Sequence, residues 1–319
     1  MVLNLIYWLI VVAVAGFFGW LTWRAARAKS WFVKIPGVLL AGVLTLVLLF
    51  VAFVSGKGLA TFYLPGGDPA PNLKVEGTTE QIARGKYIAY IACAGCHGTN
   101  GEFPLKGGTD LATEIPMPIG SLVASNLTPG GVLKNRTDGE LYRVLRHGVA
   151  KDGSLSIFMS FMPYRELSDD DTKAVIAYLR TQPAVETPTN GGDDPNLLAA
   201  ILFGAEMFPN PAPLNKSAIT APAKGVNAEY GKYVATFGEC RGCHGPNMTG
   251  SPPNPAQPDG VPNPRPMVAT WSRDQFVQTM RTGVRPSGVK FRDVMPWKNA
   301  SRMDDQDLSA LYEYIKKAP

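Results

Sequence analysis

Two long uncharged segments at the start of the chain limit its architecture more than any other feature. Residues 2–23 and 35–56 contain no charged side chain and are mostly apolar. A helix needs about 20 such residues to cross the hydrocarbon core of a membrane. The sequence therefore predicts two transmembrane helices, which form a two-helix anchor over residues 1–56 of this 319-residue chain.

The charges beside these segments predict how the anchor is oriented. Four basic and no acidic side chains lie between the two segments, at Arg24, Arg27, Lys29 and Lys34. Loops of this kind stay in the cytoplasm. We therefore expect a bacterial cytoplasmic membrane protein whose N-terminus and residues after 57 lie on the periplasmic, outer side. A cleaved signal peptide is the alternative, but it would begin with positive charge, which residues 1–4 lack.

The rest of the chain is almost neutral. Removing the four anchor charges from a total of 31 basic side chains leaves 27, against 26 acidic ones. A protein that binds nucleic acid needs a basic face to neutralise phosphates. The charge balance therefore predicts no nucleic-acid partner.

All the cysteines of the chain belong to one type of motif. Two C-x-x-C-H sequences are present, with Cys93, Cys96 and His97 in the first and Cys240, Cys243 and His244 in the second. This motif attaches a c-type haem: its two thiols add to the vinyl groups and its histidine reaches the iron. We predict two covalently attached haem c groups with these residues as their binding sites and the two histidines as iron ligands.

Two other kinds of site can be built from such cysteine pairs. A thioredoxin-like redox pair would lie in a βαβ unit, but the flanking segments here are helical in pattern. A zinc site made from both pairs has enough ligands, but it would leave the two following histidines unexplained.

The chain repeats itself around the two motifs, which predicts two related domains. The matching segments are 85–89 and 231–235, 146–149 and 281–284, Met162-Pro163-Tyr164 and Met295-Pro296-Trp297, and the helix starts 168–171 and 304–307. Proline cannot continue a helix, so each Met-Pro pair lies in a loop before the last helix of its repeat.

The order of helix, C-x-x-C-H, loops, helix, Met-Pro and last helix resembles the class I cytochrome c family over about residues 75–183 and 225–319. The resemblance implies a mainly α fold, with two N-terminal transmembrane helices followed by two tandem class I cytochrome c domains. It also implies that Met162 and Met295 are the second axial iron ligands. Residues 57–74 and 184–224 are then linkers.

Other side chains compete for these roles. The methionine alternatives are Met117 and Met159 in the first domain and Met248, Met267, Met280 and Met303 in the second. His147 would give a bis-histidine haem, but its counterpart in the repeat is Thr282, so we expect it to be an ordinary residue at a helix end. Arg146 and Arg281 recur in both repeats and are candidates to pair with haem propionates.

Two local predictions concern the linker and the first domain. The apolar segment 197–208 is too short to span a membrane, so we expect a helix there that packs across the two haem domains, with a partner subunit or the membrane surface as the alternative. Strand signals are weak, and we expect at most a short hairpin within residues 98–135.

The first domain also resembles the multihaem cytochrome subunits of membrane-bound alcohol and gluconate dehydrogenases. The resemblance lies in Asn126-Leu127-Thr128-Pro129 ahead of the helix at 137–149. It implies other subunits of a membrane electron-transfer complex as partners, in addition to the membrane itself and a soluble electron carrier.

The expected function is single-electron transfer between a respiratory or photosynthetic complex or a dehydrogenase and another carrier or oxidase, without catalysis by the chain itself. Two alternatives remain. One is a dihaem enzyme, such as a peroxidase with one open haem site, and the other is a structural or sensor subunit.

Overall fold

The computed structural model of the chain describes every residue except 65, 190, 209–216, 255–256 and 318–319. The predicted linker 184–224 is therefore described only in part, since residues 190 and 209–216 lie outside the described residues. The same holds for two positions of the proline-rich loop at 252–266.

The chain begins with a helical hairpin, which consists of α1 (Val2–Ala26) and α2 (Trp31–Tyr63). By length and composition, both helices can cross a membrane. Helix α2 continues past residue 56, the predicted end of the anchor, because residues 59 and 62 bury apolar side chains in a core described below. Small residues bring the two helices together, and a Cβ on Gly37 would lie 2.9 Å from the Cβ of Ala25.

The rest of the chain is mainly helical, as predicted. Domain 1 (residues 75–183) contains α3 (Thr79–Ala92), α4 (Ala94–His97), α5 (Asp138–His147), α6 (Ile157–Phe161) and α7 (Asp169–Thr181), with 3-10 turns at Leu111–Glu114, Val132–Asn135 and Pro163–Glu166. The linker contains α8 (Leu197–Gly204). Domain 2 (residues 225–319) contains α9 (Ala228–Phe237), α10 (Cys240–His244), α11 (Arg265–Val268), α12 (Arg273–Thr282), α13 (Trp297–Ala300) and α14 (Asp305–Lys316).

The first and last helices of each domain cross at a glycine. A Cβ on Gly85 of α3 would lie 1.8 Å from the carbonyl oxygen of Ala174 in α7, and one on Gly231 of α9 would lie 1.9 Å from that of Ala310 in α14. No larger residue fits at this distance without moving a helix. The glycine of each repeated Gly-Lys-Tyr segment therefore fixes the same helix crossing twice.

The central helices α5 and α12 also begin and end alike. Each starts with a capping box, formed by Thr137 and Glu140 in α5 and by Ser272 and Gln275 in α12. Each ends at a glycine in the left-handed region, where a side chain would be strained. These local signals explain why the two repeats fold alike.

The prediction of a hairpin within residues 98–135 is wrong about the segment that pairs with its strand. Strand β1 (Gly120–Val123) pairs antiparallel with β2 (Gly192–Pro195), which belongs to the linker. Leu122 of β1 is buried in an apolar core, and the extended segment after domain 1 supplies the hydrogen bonds along its edge. The linker thus returns to domain 1 instead of leading straight to domain 2.

The expectation that the apolar linker helix packs across the two haem domains is also wrong. Helix α8 packs against the end of α2, where a Cβ on Gly58 would lie 1.9 Å from the carbonyl oxygen of Ala200 and one on Gly204 would lie 1.7 Å from that of Val54. Together with domain 1, α8 and α2 bury a second apolar core, which includes Leu59, Phe62, Ile119, Leu122, Ile157 and Phe203. We call it the anchor core.

The N-terminus of α1 lies on the same side of the structure as the domains. The Asn4 amide donates to the carbonyl oxygen of Pro195 in β2, at 2.6 Å, and to the Tyr63 hydroxyl, at 3.0 Å. Both ends of the helical hairpin therefore contact the same part of the protein, as the charge pattern predicts.

Candidate haem sites and their interface

The residues of the first C-x-x-C-H motif line a large cavity. Its volume is about 680 Å³, and its lining includes Cys93, Cys96, His97, Met159 and Met162. Cavities of 300–1,000 Å³ are the usual size for small-molecule and cofactor sites. The structure therefore brings the predicted thiols, histidine and methionine of domain 1 to one site.

His97 is held in an orientation suited to an iron ligand. Its Nδ1 atom lies 2.7 Å from the carbonyl oxygen of Ser125, and burial lowers the pKa of the ring. The Nδ1–H can therefore donate to the carbonyl, which leaves a neutral Nε2 to bind metal. The next residue, Asn126, fixes this loop because its side chain donates to the carbonyl oxygen of Val185 and accepts from Thr128.

The second motif repeats this arrangement with a different loop. The Nδ1 atom of His244 lies 2.9 Å from the carbonyl oxygen of Pro262, and burial lowers the pKa of this histidine as well. Met295 packs against the larger apolar core, which contains buried side chains of both domains. The site is more open than the first, since Cys243 is exposed whereas its counterpart Cys96 is half-buried.

Rival ligands separate into two groups. Met159 lines the same cavity as Met162, so both thioethers of domain 1 remain within the site. Three of the alternatives in domain 2, Met248, Met280 and Met303, are buried core residues, and Met117 packs against the anchor core. His147 is the last residue of α5 and is not among the described residues that line the cavity.

The two recurring arginines have structural partners. Arg146 donates to Asp169 and to the Tyr142 hydroxyl, and Arg281 donates to Asp305 at 2.7 Å. Both guanidinium groups thus hold the start of the last helix of their domain, and their pairing with haem propionates stays a prediction. Sequence reasoning missed the basic residues that do line the first cavity, Arg136 and Lys151.

The structure does not assemble the cysteines into a zinc site. Within the described part of the chain, no three side chains of His, Cys, Asp or Glu come together as a metal-binding group. Each cysteine pair instead lies beside its own histidine on a short helix, α4 or α10. The donors of the first site, two thiols, a histidine with a free Nε2 and a nearby thioether, fit a c-type haem.

The two domains contact each other through reciprocal pairs of side chains. The Tyr87 hydroxyl in domain 1 donates to Asp307 in domain 2, and the Tyr233 hydroxyl in domain 2 donates to Asp171 in domain 1, both at 2.7 Å. The tyrosines occupy matching positions in the repeat, and so do the aspartates. The interface is therefore close to two-fold symmetric.

The same symmetry brings the two haem motifs together. A Cβ on Gly95, inside the first motif, would lie 2.5 Å from the side chain of Asn299. A Cβ on Gly242, inside the second, would lie 3.7 Å from Pro163 in the Met-Pro loop of domain 1. Each motif thus lies against the segment that follows the methionine of the other domain.

Glu239 connects the two sites directly. It precedes the second motif, it lines the cavity of the first, and it accepts a hydrogen bond from the Tyr164 hydroxyl of domain 1. The Tyr164 hydroxyl oxygen also lies 2.9 Å from the carbonyl oxygen of Ala92, immediately before the first motif. Nothing in the local sequence around Glu239 or Tyr164 predicts this contact, because it joins residues 75 positions apart.

Comparison with known proteins identifies the family. The family model for cytochrome c matches residues 82–183 and 228–319, which together make up more than half of the chain. The chain belongs to the cytochrome c family. The two matched regions contain one C-x-x-C-H motif each, which confirms the predicted fold class of two tandem cytochrome c domains and the prediction of two covalently bound haem c groups.

Similar proteins are cytochrome c subunits of dehydrogenases or a dihaem cytochrome. The chain is 28% identical to the diheme cytochrome c-type of Cereibacter sphaeroides over 76% of this chain and 88% of that one. It is 26% identical to the gluconate 2-dehydrogenase cytochrome c subunit of Pantoea cypripedii over 74% of this chain, but the match spans only 59% of that subunit. It is 30% identical to the cytochrome c subunit of the alcohol dehydrogenase (quinone) of Komagataeibacter europaeus over 30% of this chain and 23% of that one. The chain is thus an electron-transfer cytochrome.

Proposed function

We propose that this protein is a membrane-anchored dihaem cytochrome c that carries single electrons between a respiratory or photosynthetic complex or a dehydrogenase and another carrier or oxidase. The observation that carries the proposal is the interface, where the two haem motifs lie against each other's Met-Pro segments. Two redox sites that share a buried boundary suit electron exchange within one chain better than two independent functions.

The residues of each motif have distinct proposed roles. Cys93 and Cys96 in domain 1, and Cys240 and Cys243 in domain 2, would attach the haem through thioether bonds. The Nε2 atoms of His97 and His244 would bind the iron. The thioethers of Met162 and Met295 would be the second ligands, and the prolines that follow them would stiffen the loop.

Coordination by histidine and methionine explains why we propose transfer instead of catalysis. The haem supplies a one-electron iron couple when it is bound, and thioether ligation raises its reduction potential. With a histidine and a methionine of its own as ligands, each iron would offer a substrate no free position. The carbonyl groups of Ser125 and Pro262 keep the two histidines in place.

The anchor supports a location at the cytoplasmic membrane with both domains on the periplasmic side. Helices α1 and α2 are long enough to span, and the four basic residues that join them favour the cytoplasmic side. Helix α8 attaches domain 1 to α2 through the anchor core, so the first site lies close to the anchor. Other subunits of a membrane complex and a soluble carrier are the proposed partners, in keeping with the names of the relatives.

Two measurements test this function. Extraction in mild detergent followed by a haem-stained native gel and mass spectrometry of the band should show migration with other redox subunits, and migration alone would instead indicate a free-standing anchored carrier. The reduced protein should bind carbon monoxide weakly at both haems, because both axial positions are filled. Substantial binding at one haem would favour the peroxidase alternative and overturn the proposal.

A further inference from the structure

Helix α8 packs against α2 at the level where α2 leaves the predicted span. A Cβ on Gly58 would lie 1.9 Å from the carbonyl oxygen of Ala200, and one on Gly204 would lie 1.7 Å from that of Val54. Small residues allow two helices to approach this closely. Since the uncharged segment of α2 ends at residue 56, Gly204 lies beside a residue of the predicted span and Ala200 lies just outside it.

The same two contacts give the direction of α8. Along α8 the chain runs from Ala200 to Gly204, whereas the α2 residues beside it run from Gly58 back to Val54. Because α2 runs outward through the proposed membrane, α8 runs inward. Val54 lies about 3 Å of helix below the end of the uncharged segment. The C-terminal turn of α8 therefore reaches the outer edge of the hydrocarbon core.

The outward face of α8 is apolar. Leu198 is 37% exposed, Ile201 is partly exposed, and Ala205, directly after the helix, is exposed. Spacings of three and four residues place these side chains on one face of a helix. Met207, after the helix, is 50% exposed, and residues 197–205 contain no charged side chain. An exposed apolar face beside a membrane span is suited to contact with lipid.

Polar contacts mark the membrane boundary at the same level. Lys57, the first charged residue after the span, forms an ion pair with Glu206, at 2.5 Å, just beyond the end of α8. On α1, the Trp8 indole N–H donates to the carbonyl oxygen of Ala52 in α2, at 2.8 Å. Tryptophan is enriched at the boundary between hydrocarbon and headgroups. Three helices thus meet at one depth, with charge above it and apolar side chains below it.

We propose that α8 is an interfacial helix that contacts lipid at the outer face of the membrane through Leu198, Ile201, Ala205 and Met207. The inference rests on the proposed function because it requires α1 and α2 to span. A short apolar segment of this kind is typical of a buried helix or an interfacial segment, and its exposed face favours the second. A partner subunit is a poorer occupant, since Phe53 of the span, 70% exposed, continues the apolar surface into the membrane.

Lipid contact by α8 also determines where the first haem site lies. Its cavity is lined by Phe62 and Tyr63 at the end of α2 and by Asp193 and Pro195 of β2, the strand just before α8. Phe62 lies about 9 Å of helix beyond residue 56. The two attachments, α2 and α8, therefore hold the first site close to the membrane surface.

Photolabelling from the membrane tests the proposal on the unmodified protein. The full chain with both haems would be placed in phosphatidylcholine nanodiscs that contain a lipid with a diazirine near the glycerol (the shallow probe) or at the end of the acyl chain (the deep probe). Peptide mass spectrometry locates the adducts. The shallow probe should label residues 197–207 at least about fivefold more than the deep probe does, and residues 39–46, in the middle of α2, should show the reverse preference.

An exposed apolar segment of domain 2 is the internal control. Residues 283–294 include Val289, 53% exposed, and Val294, 74% exposed. Because these side chains do not belong to the anchor core, either probe should label them at least about tenfold less than the shallow probe labels residues 197–207. Equal labelling of the two segments would show that the probes report exposure alone and would overturn the proposal.

A pair of matched variants sharpens the test. L198E places a carboxylate against lipid, whereas V226E places one in domain 2 on a side chain of similar exposure, 42% against 37%. L198E should lower shallow-probe labelling of residues 197–207 at least about threefold, because a carboxylate is costly to bury in lipid. V226E should leave this labelling unchanged, and haem content verifies that both variants fold. If L198E loses haem, the labelling pattern of the unmodified chain still decides the question.

The outcomes separate this proposal from the proposed function. Labelling of residues 39–46 without labelling of residues 197–207 would overturn the interfacial helix and leave the anchor intact. No labelling of residues 39–46 by either probe would overturn the membrane anchor itself. In native membrane vesicles, loss of lipid labelling at residues 197–207 would assign this surface to a partner subunit and overturn the contact with lipid.

Discussion

Domains 1 and 2 have the same interior and different exteriors. Both cross their first and last helices at a glycine, both hold a histidine on a backbone carbonyl, and both contribute a tyrosine and an aspartate to their interface. Domain 1, however, packs the apolar side chains of residues 155–161 into the anchor core, whereas the matching segment of domain 2, residues 283–294, leaves Val289 and Val294 exposed. The contacts that define the haem sites are thus independent of the surface that decides what each domain touches.

Loss of a cysteine pair should have the largest effect, which is the loss of a bound haem. The effect should be of the same kind in both domains. C93S/C96S and C240S/C243S each remove the thioether bonds of one site, so haem content should fall from two groups to one per chain. Pyridine haemochrome absorbance against protein concentration measures this. Loss of both haems in either variant would mean that the sites do not assemble independently.

Replacing the proposed axial methionines should separate the two sites electrochemically. M162L and M295L each remove one thioether, and because axial ligands set haem potentials over a range of about 0.8 V, one midpoint potential should fall by on the order of 0.1 V. A redox titration of each variant measures both potentials. If M162L leaves both unchanged while M159L lowers one, Met159 is the ligand in domain 1.

A substitution at the crossing of α2 and α8 should weaken the attachment of domain 1 to the anchor, which is the contact by which domain 1 differs from domain 2. G58A places a methyl group 1.9 Å from the carbonyl oxygen of Ala200, which should destabilise the anchor core by about 1–3 kcal/mol or force α8 away. Hydrogen exchange in residues 197–204 should rise. G16A is the matched control, because a Cβ at that position in α1 meets no atom within 4 Å. Equal exchange in both variants would argue against this contact.

The reciprocal tyrosines should contribute similar stability. Y87F and Y233F each remove the hydroxyl that donates to a buried aspartate of the other domain, at a cost of about 1–2 kcal/mol. Thermal unfolding in detergent, followed by circular dichroism, should show a lower midpoint by a few degrees in each. A large effect of one substitution and none of the other would contradict the symmetric interface.

The last expected difference concerns Glu239, whose counterpart in domain 1 is Ala92. Burial raises the pKa of Glu239 from 4.5 to about 7. Between these values the unfolded chain releases the proton and the folded chain keeps it, so this group makes the folded state less stable as pH rises from 4.5 to about 7. E239Q should flatten that part of the stability profile, measured by denaturant unfolding. An unchanged slope in E239Q would assign the pH dependence to other groups.

Sequence alone predicts the parts of this structure that local patterns encode. The transmembrane hairpin follows from two apolar segments, and the haem motifs and their repeat follow from spacing. The place of α8, the pairing of β1 with β2, and the contact of Glu239 with Tyr164 could not be predicted. Each depends on segments that are far apart in the chain and meet only in the folded protein. The aspartate partners of Arg146 and Arg281 could not be predicted for the same reason, since they begin the last helix of each domain.

The reciprocity of Tyr87–Asp307 and Tyr233–Asp171 makes the chain equivalent to an isologous dimer whose subunits are fused. Fusion keeps each half at a high effective concentration relative to the other, so the halves stay paired at any dilution and need less binding free energy than two free chains. In a homodimer every surface substitution appears twice, on both sides of the symmetry axis. In the fused chain a substitution appears once, so the two halves can acquire different surfaces. One half can then be attached to the anchor while the other exchanges electrons with a partner.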